Sequence, residues 1–220
     1  MEFKNRSRTF VSSTEISAVF CLNKHKTRNQ LFAEKRFGKR DEFDCEATRH
    51  GRFWEPYALR KMADFFGDTW EFLKPGTLKD PKEPVCCAPD LVISSKEHDI
   101  LVGVEVKCPW SAPIPKNKGE VPPEYLFQAF ACLMISGADC WLLGFYDSDT
   151  DRVSVFEIAP DWSLWNGTVL PLVREFLGMV SDSSVPDQPF KRKGRAEKAI
   201  SEKVRRNLLS LTRERPDLLS

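Results

Sequence analysis

The chain reads as an α/β protein, a central mixed β-sheet flanked by helices, and three observations carry that reading. Ala58, Leu59, Met62, Phe65 and Phe66 recur at helical spacing, as one buried helix face requires. Two short apolar runs flank a polar tip at Ser94 to Asp99, the pattern of a β-hairpin. The remaining segments run as helices, then strands, then helix, strand, strand and helix, which suits a sheet covered by helices. At 220 residues the simplest organisation is one domain with a sizeable core, residues 1–180, followed by a linker and basic tail, residues 181–220.

Each element has a local reason. Thr14 followed by Glu15-Ile16-Ser17-Ala18-Val19-Phe20 predicts an N-cap and a short helix. The polar cluster Asn23 to Thr27 breaks it, and Asn29 to Phe37 predicts a second helix. Gly38 to Thr48 is charged and reads as loop. A third helix is expected over Arg52–Phe66, with Pro56 in its first turn and Gly67 as its stop. Trp70 to Leu73 reads as a strand ended by Lys74-Pro75-Gly76.

Folding the two apolar runs of the hairpin over their tip pairs residues whose numbers sum to about 193–195, an antiparallel register. Pro109 to Pro123 holds five prolines and reads as a loop. Pro123-Glu124-Tyr125 starts a helix that runs through Gln128 to Ser136 and closes at Gly137. Cys140–Tyr146 and Val153–Ile158 are expected as strands, and Asp161–Val180 as a helix interrupted near Asn166-Gly167. In the tail, Ile200, Val204, Leu208 and Leu211 form one apolar helical stripe among basic residues.

Composition narrows the function classes. Hydrophobic residues make up 41% and charged residues 30% of the chain, as in ordinary soluble proteins. No apolar run approaches the ~18 residues of a membrane span. The N-terminus is polar and basic, without the apolar core of a signal peptide. Seven cysteines, an odd number with no CxxC, fit free thiols in a reducing compartment, so an intracellular location in cytoplasm or nucleus is expected. Adjacent Cys86 and Cys87 make awkward ligands for one tetrahedral zinc.

The net charge is +1, but residues 190–220 carry +6 and the remainder −5. Overall charge therefore does not choose the partner. The basic run Lys191-Arg192-Lys193-Gly194-Arg195 suits a nuclear signal, a DNA-tracking arm or a solvated helix face.

The segment Cys86 to Trp110 concentrates the chemistry. The hairpin register sets Asp90 opposite Gly103 to Glu105, and strand alternation projects Glu105 and Lys107 together while Val106 points away. Two carboxylates and an ammonium then share one patch at a sheet end. Hard carboxylate oxygens suit Mg²⁺ and leave waters on it, which is what hydrolysis of a phosphodiester needs. Lys107 beside them can orient or deprotonate the attacking water. Taken alone, Asp…Glu-x-Lys is more often a salt bridge across a hairpin than a catalyst.

Further blocks give the pattern a family. Cys87-Ala88-Pro89-Asp90 resembles C-S-P-D, and Glu105-Val106-Lys107-Cys108-Pro109-Trp110 resembles E-L-K-C-P-F. Upstream, Gly51-Arg52-Phe53-Trp54-Glu55 fits G-x-x-x-E and Val11-Ser12-Ser13-Thr14-Glu15-Ile16 is similar to V/I-T-A-S-E-V. Tyr125-Leu126-Phe127-Gln128 fits Y-x-x-Q, with Trp141 and Tyr146-Asp147 following. In this order they resemble the phage lambda exonuclease and YqaJ-like viral recombinase family, a branch of the PD-(D/E)xK nucleases.

The resemblance implies a restriction-endonuclease-like core over residues 1–180 and a role for each matched residue. Asp90, Glu105, the Val106 carbonyl and Glu55 would hold one or two Mg²⁺ ions, with Mn²⁺ able to substitute. Lys107 would act on the water and Gln128 would hold its geometry. Thr14 would bind a DNA 5′-phosphate with a nearby arginine, Arg6 or Arg8, since strict spacing falls on Ser7 between them. The implied activity is a 5′-to-3′ exonuclease on linear double-stranded DNA in recombination, repair or viral DNA processing. Its alternatives are an endonuclease of the same superfamily on DNA or RNA, and an inactive nucleic-acid-binding protein. A homotrimer and a single-strand-annealing partner come with the resemblance alone. The aromatic residues Phe53, Trp54, Trp110 and Trp141 are expected in the core.

Overall fold

The computed structural model describes residues 8–38, 44–95, 97–182 and 195–215. Its centre is a six-stranded mixed sheet in the order β2-β5-β6-β7-β8-β9. The strands are β2 (Trp70–Leu73), β5 (Leu91–Ser95), β6 (Leu101–Lys107), β7 (Cys140–Asp147), β8 (Arg152–Ile158) and β9 (Thr212–Glu214). Only β6 and β7 are parallel, with Glu105 beside Leu143. That pairing needs a crossover, which helix α4 (Pro123–Ser136) supplies. A second sheet of β1 (Val11–Ser12), β4 (Val85–Cys87) and β3 (Leu78–Lys79) was not foreseen, because strands of two or three residues carry no readable alternation.

The hairpin pairs Leu91 with Val104 and Ser94 with Leu101, within the expected register. Alternation along β6 then sends Val102, Val104 and Val106 to one face, where they pack with Ala58 and Met62 of α3 (Glu46–Asp64). On the other face the core is built from Leu126, Phe127 and Phe130 of α4 against Trp141, Leu143 and Phe145 of β7. One glycine is demanded by this packing. A Cβ on Gly103 would lie 2.0 Å from the Trp141 ring, so the indole occupies the space a side chain would need.

Several boundaries differ from expectation for definable reasons. The first helix, α1 (Ser13–Val19), is capped by Ser12 and not by Thr14. Glu15 lies three residues after Ser12 and its Oε2 accepts the Ser12 N–H at 3.0 Å, the carboxylate half of a capping box. Helix α2 (Arg28–Phe37) is capped by Thr27, which accepts the Gln30 N–H, and closes at Gly38 with φ 70°. Helix α3 begins at Glu46, within the stretch expected to be loop, and Pro56 lies in its interior. A proline there removes one backbone bond, yet the helix continues because Ala58 and Met62 anchor its far half in the core. The interruption near Asn166-Gly167 is a π-helical turn, Trp165–Val169, between α5 (Trp162–Leu164) and α6 (Leu170–Ser181).

Residues 195–215, read from sequence as tail, lie against the body of the fold. Helix α7 (Arg195–Ser210) buries Val204 and Leu208 in the core. Its Ser201 hydroxyl donates to the Phe20 carbonyl at 2.6 Å, and β9 extends the sheet by pairing Thr212 with Ile158. The basic run Lys191–Gly194 lies outside the described residues. Among those described, no helix is long and apolar enough to cross a membrane.

Candidate active site

Asp90 stands immediately before β5, and the hairpin register carries it opposite Glu105 near the end of β6. Its Oδ2 accepts the Val106 N–H at 2.8 Å, which fixes the carboxylate against the neighbouring strand. Burial pushes Asp90 up from 3.8 to about 7, and the nearby Glu105 carboxylate adds to the rise; the Val106 N–H and Lys107 oppose it. Near neutral pH the ionised form of this carboxyl is therefore disfavoured, as expected for one of two like charges in a partly dry site.

Glu105 is buried at 3% exposure. Its Oε1 accepts Lys107 Nζ at 2.6 Å and also a hydrogen bond from Gln128 Nε2, which reaches across from α4. Its Oε2 is buried with no hydrogen-bond partner among the described residues. A bare, buried carboxylate oxygen is costly unless something cationic meets it. Beside Asp90 it makes a set of hard oxygen donors that fits a divalent ion.

Lys107 is half-buried, its side chain 20% exposed. Burial acts against its ammonium, but Glu105, by charge and by hydrogen bond, and then Asp90 outweigh it and raise its affinity for the proton. The ammonium also stands 5.1 Å from the centre of the Tyr125 ring, one turn before Gln128 on α4. So the Y-x-x-Q block places both its named residues around the same lysine–carboxylate pair.

Glu55 comes from α3, on the other face of the sheet, and approaches around the end of β6. Its charge reaches Asp90 and Cys108 weakly: it is the smallest contributor to the Asp90 shift and follows burial as a cause of the Cys108 rise to about 12. The Glu55 carboxylate stands 3.6 Å from Lys74 Nζ. Among the described residues, no three His, Cys, Asp or Glu side chains gather into one metal cluster. The carboxylates that meet are Asp90 and Glu105, with Glu55 nearby and turned to Lys74.

Lys74 escaped the sequence reading. The β2–β5 register pairs Leu73 with Val92, so Lys74 follows at the sheet end that holds Asp90; only knowledge of that pairing could have found it. Thr14 is exposed on the first turn of α1, its hydroxyl 3.0 Å from that of Ser12. Arg8 is exposed, and Arg6 lies outside the described residues. Neither Thr14 nor Arg8 shares a hydrogen bond or ion pair with Asp90 or Glu105. The aromatic expectation needs correction: Trp141 is fully buried, but Phe53 is 61% and Trp110 50% exposed. Helical spacing on α3 turns Phe53 away from the Ala58–Met62 face, and Trp110 lies in the loop beyond β6.

Comparisons with known proteins agree with this architecture. The structure is similar to the alkaline exonuclease LHK-Exo from Laribacter hongkongensis, with a TM-score of 0.60 at 18% identity, covering 96% of this chain and 100% of that one. The same exonuclease in complex with dAMP gives 0.61 at 18% identity over the same shares of each chain. A phage related exonuclease from Haemophilus somnus 129PT gives 0.52 at 13% identity, covering 90% of this chain and 96% of that one. At such identities the likeness shows the fold, which is restriction-endonuclease-like. A comparison with curated protein sequences gives no match. The family model of the YqaJ-like viral recombinase domain matches residues 2–139, a span that runs from before Thr14 to beyond Gln128. The chain belongs to the YqaJ-like viral recombinase domain family.

Proposed function

We propose that this protein is a Mg²⁺-dependent deoxyribonuclease that degrades linear double-stranded DNA from the 5′ end. The observation that carries the reading is the pairing of half-buried Asp90 with buried Glu105, one Glu105 oxygen bare and the other clasped by Lys107 and Gln128. A surface salt bridge would leave neither a buried unpartnered oxygen nor a second carboxylate driven toward neutrality. The family membership and the exonuclease activity of the structurally similar proteins support the same reading.

Asp90, Glu105 and the Val106 carbonyl would hold the ion, with Glu55 contributing from α3. A divalent ion there neutralises charge at the scissile phosphate and makes water more acidic. The chain's own residues do the rest. Gln128 keeps the Glu105 carboxylate in one rotamer, so that Oε2 stays presented to the ion. Lys107 holds its proton firmly, which makes it a donor to charge developing on the phosphate in the transition state and an orienting group for the attacking water. Val106 N–H fixes Asp90.

The 5′ polarity, a homotrimer, an annealing partner and phosphate capture by Thr14 with Arg6 or Arg8 follow from the family resemblance. They form part of the proposal. The test is degradation of 5′-phosphorylated linear duplex with Mg²⁺, set against a circular duplex, chelator and Lys107→Ala. Loss of the linear duplex alone, abolished by chelator and by the substitution, is expected. Activity insensitive to chelator, or full activity in Lys107→Ala, overturns the mechanism; cleavage of the circle makes the enzyme an endonuclease.

A further inference from the structure

On the outer face of α3, Phe53 and Tyr57 are aromatic side chains that the hydrophobic core does not explain, and Trp54 beside them leans on the core. His50, Phe53, Trp54 and Tyr57 recur at the three- and four-residue spacing of one helix face. Phe53 is 61%, Tyr57 52% and Trp110 50% exposed. Their rings are organised against one another. Phe53 meets Trp54 edge-on at 5.1 Å, Trp54 lies 5.2 Å from Tyr57, and His50 stacks on Trp110 at 6.5 Å with an interplanar angle of 18°. Trp54 is also 5.7 Å from Tyr146, which ties the ledge to β7 and the rigid sheet.

The ledge is continuous with the candidate active site. Glu55 follows Trp54 directly, and Trp110 is three residues beyond Lys107. Arginines flank it: Arg49, Arg52 and Arg60 are exposed on the same helix. Arg49 and Arg52 share Asp44, at 3.1 and 3.5 Å, in exposed pairs; such pairs are weak and exchange readily for a phosphate. Exposed aromatic faces interleaved with arginines are the surface that unpaired nucleobases and their phosphates recognise.

We infer that this ledge is a stacking platform for unpaired bases of single-stranded DNA adjoining the hydrolytic site, a role that rests on the nuclease reading above. Duplex bases are stacked inside the helix and cannot use such faces; bases of a strand freed at a DNA end can. The platform then holds the strand next to the Asp90–Glu105 pair without regard to sequence, since every base has a π-face.

The experiment measures binding in chelator, where no hydrolysis occurs. A fluorescein-labelled oligothymidylate is compared by anisotropy with an abasic strand of equal length, for the wild-type chain and for Phe53→Ala/Tyr57→Ala, with intrinsic tryptophan quenching recorded in parallel. Both substituted side chains are exposed, and circular dichroism of the variant checks that it stays folded. The wild type is expected to bind the thymidine strand roughly tenfold more tightly than the abasic one, with tryptophan quenching, and the variant is expected to lose that preference. Equal binding of both strands by the wild type overturns the platform, as does a preference that survives in the variant. Conversion of a wild-type oligomer to monomer by the substitutions, read by sedimentation, also overturns it and assigns the ledge to a second copy of the chain. Failure of the nuclease reading is seen separately, as absence of Mg²⁺-dependent degradation of duplex.

Discussion

Replacing Asp90 with asparagine should stabilise the metal-free protein while weakening the metal site. The Asp90 carboxyl is raised from 3.8 to about 7 by burial and by Glu105. A raised carboxyl contributes stability that is fully present below 3.8 and is lost as pH climbs through about 7. Asparagine never ionises. Its side-chain oxygen can still accept the Val106 N–H, and its amide can donate toward Glu105. A shift of this size corresponds to a ceiling of about 4 kcal/mol. Residual solvent contact and local relaxation reduce the expected gain to about 1–3 kcal/mol.

For a chain of this length, that gain amounts to roughly 3–10 °C in Tm. The assay is thermal unfolding of wild type and Asp90→Asn at pH 4 and pH 8 in chelator, then at pH 8 with Mg²⁺. The two proteins should unfold together at pH 4, and the variant should be the more stable at pH 8. Saturating Mg²⁺ should raise the wild type by about 3 kcal/mol at a hundredfold excess over Kd and the variant by far less. A variant that is less stable at pH 8, or a difference independent of pH, contradicts a carboxyl raised by burial at position 90.

Other substitutions probe separate parts. Gln128→Ala should cut kcat about 10–100-fold while leaving KM for DNA within about twofold, because Gln128 is buried and holds Glu105; an unchanged kcat in steady-state assays removes its positioning role. Gly103→Ala should cost about 1–3 kcal/mol in urea unfolding, since the new methyl meets the Trp141 ring. Metal affinity should strengthen as pH rises from 6 to 8, as the proton leaves Asp90 near 7; calorimetric titration of Mn²⁺ at several pH values measures it.

What could be read in the sequence follows the length of its patterns. The hairpin was legible to within two residues of register, because alternation over β5 and β6 and a single polar tip confine the pairing to sums of about 193–195, and the structure takes 195. Helix α4 was legible because Pro123 and Gly137 punctuate it. The start of α3 was not, since Glu46 to Gly51 is polar and lies at the surface, where periodicity carries no signal. Within the site, Asp90, Glu105, Lys107 and Gln128 come together from four motif positions: the residue before β5, two on β6 and one on α4. The approach of Glu55 depends on how α3 crosses the sheet, and Lys74 on which strand β2 chooses as partner. Neither is a local property of the chain. The exposed aromatics were misjudged because large apolar side chains usually fill cores, and only the orientation of α3 reveals which of its faces is covered.

The proposed nuclease depends on Asp90 and Glu105 together holding a divalent ion. Calorimetric titration of Mn²⁺ at pH 8 into the wild type and into Glu105→Gln tests it without depending on any substrate. One or two ions should bind the wild type, and the substitution should weaken binding at least about tenfold. Equal affinity in the two proteins, or no binding to the wild type at millimolar Mn²⁺, contradicts it.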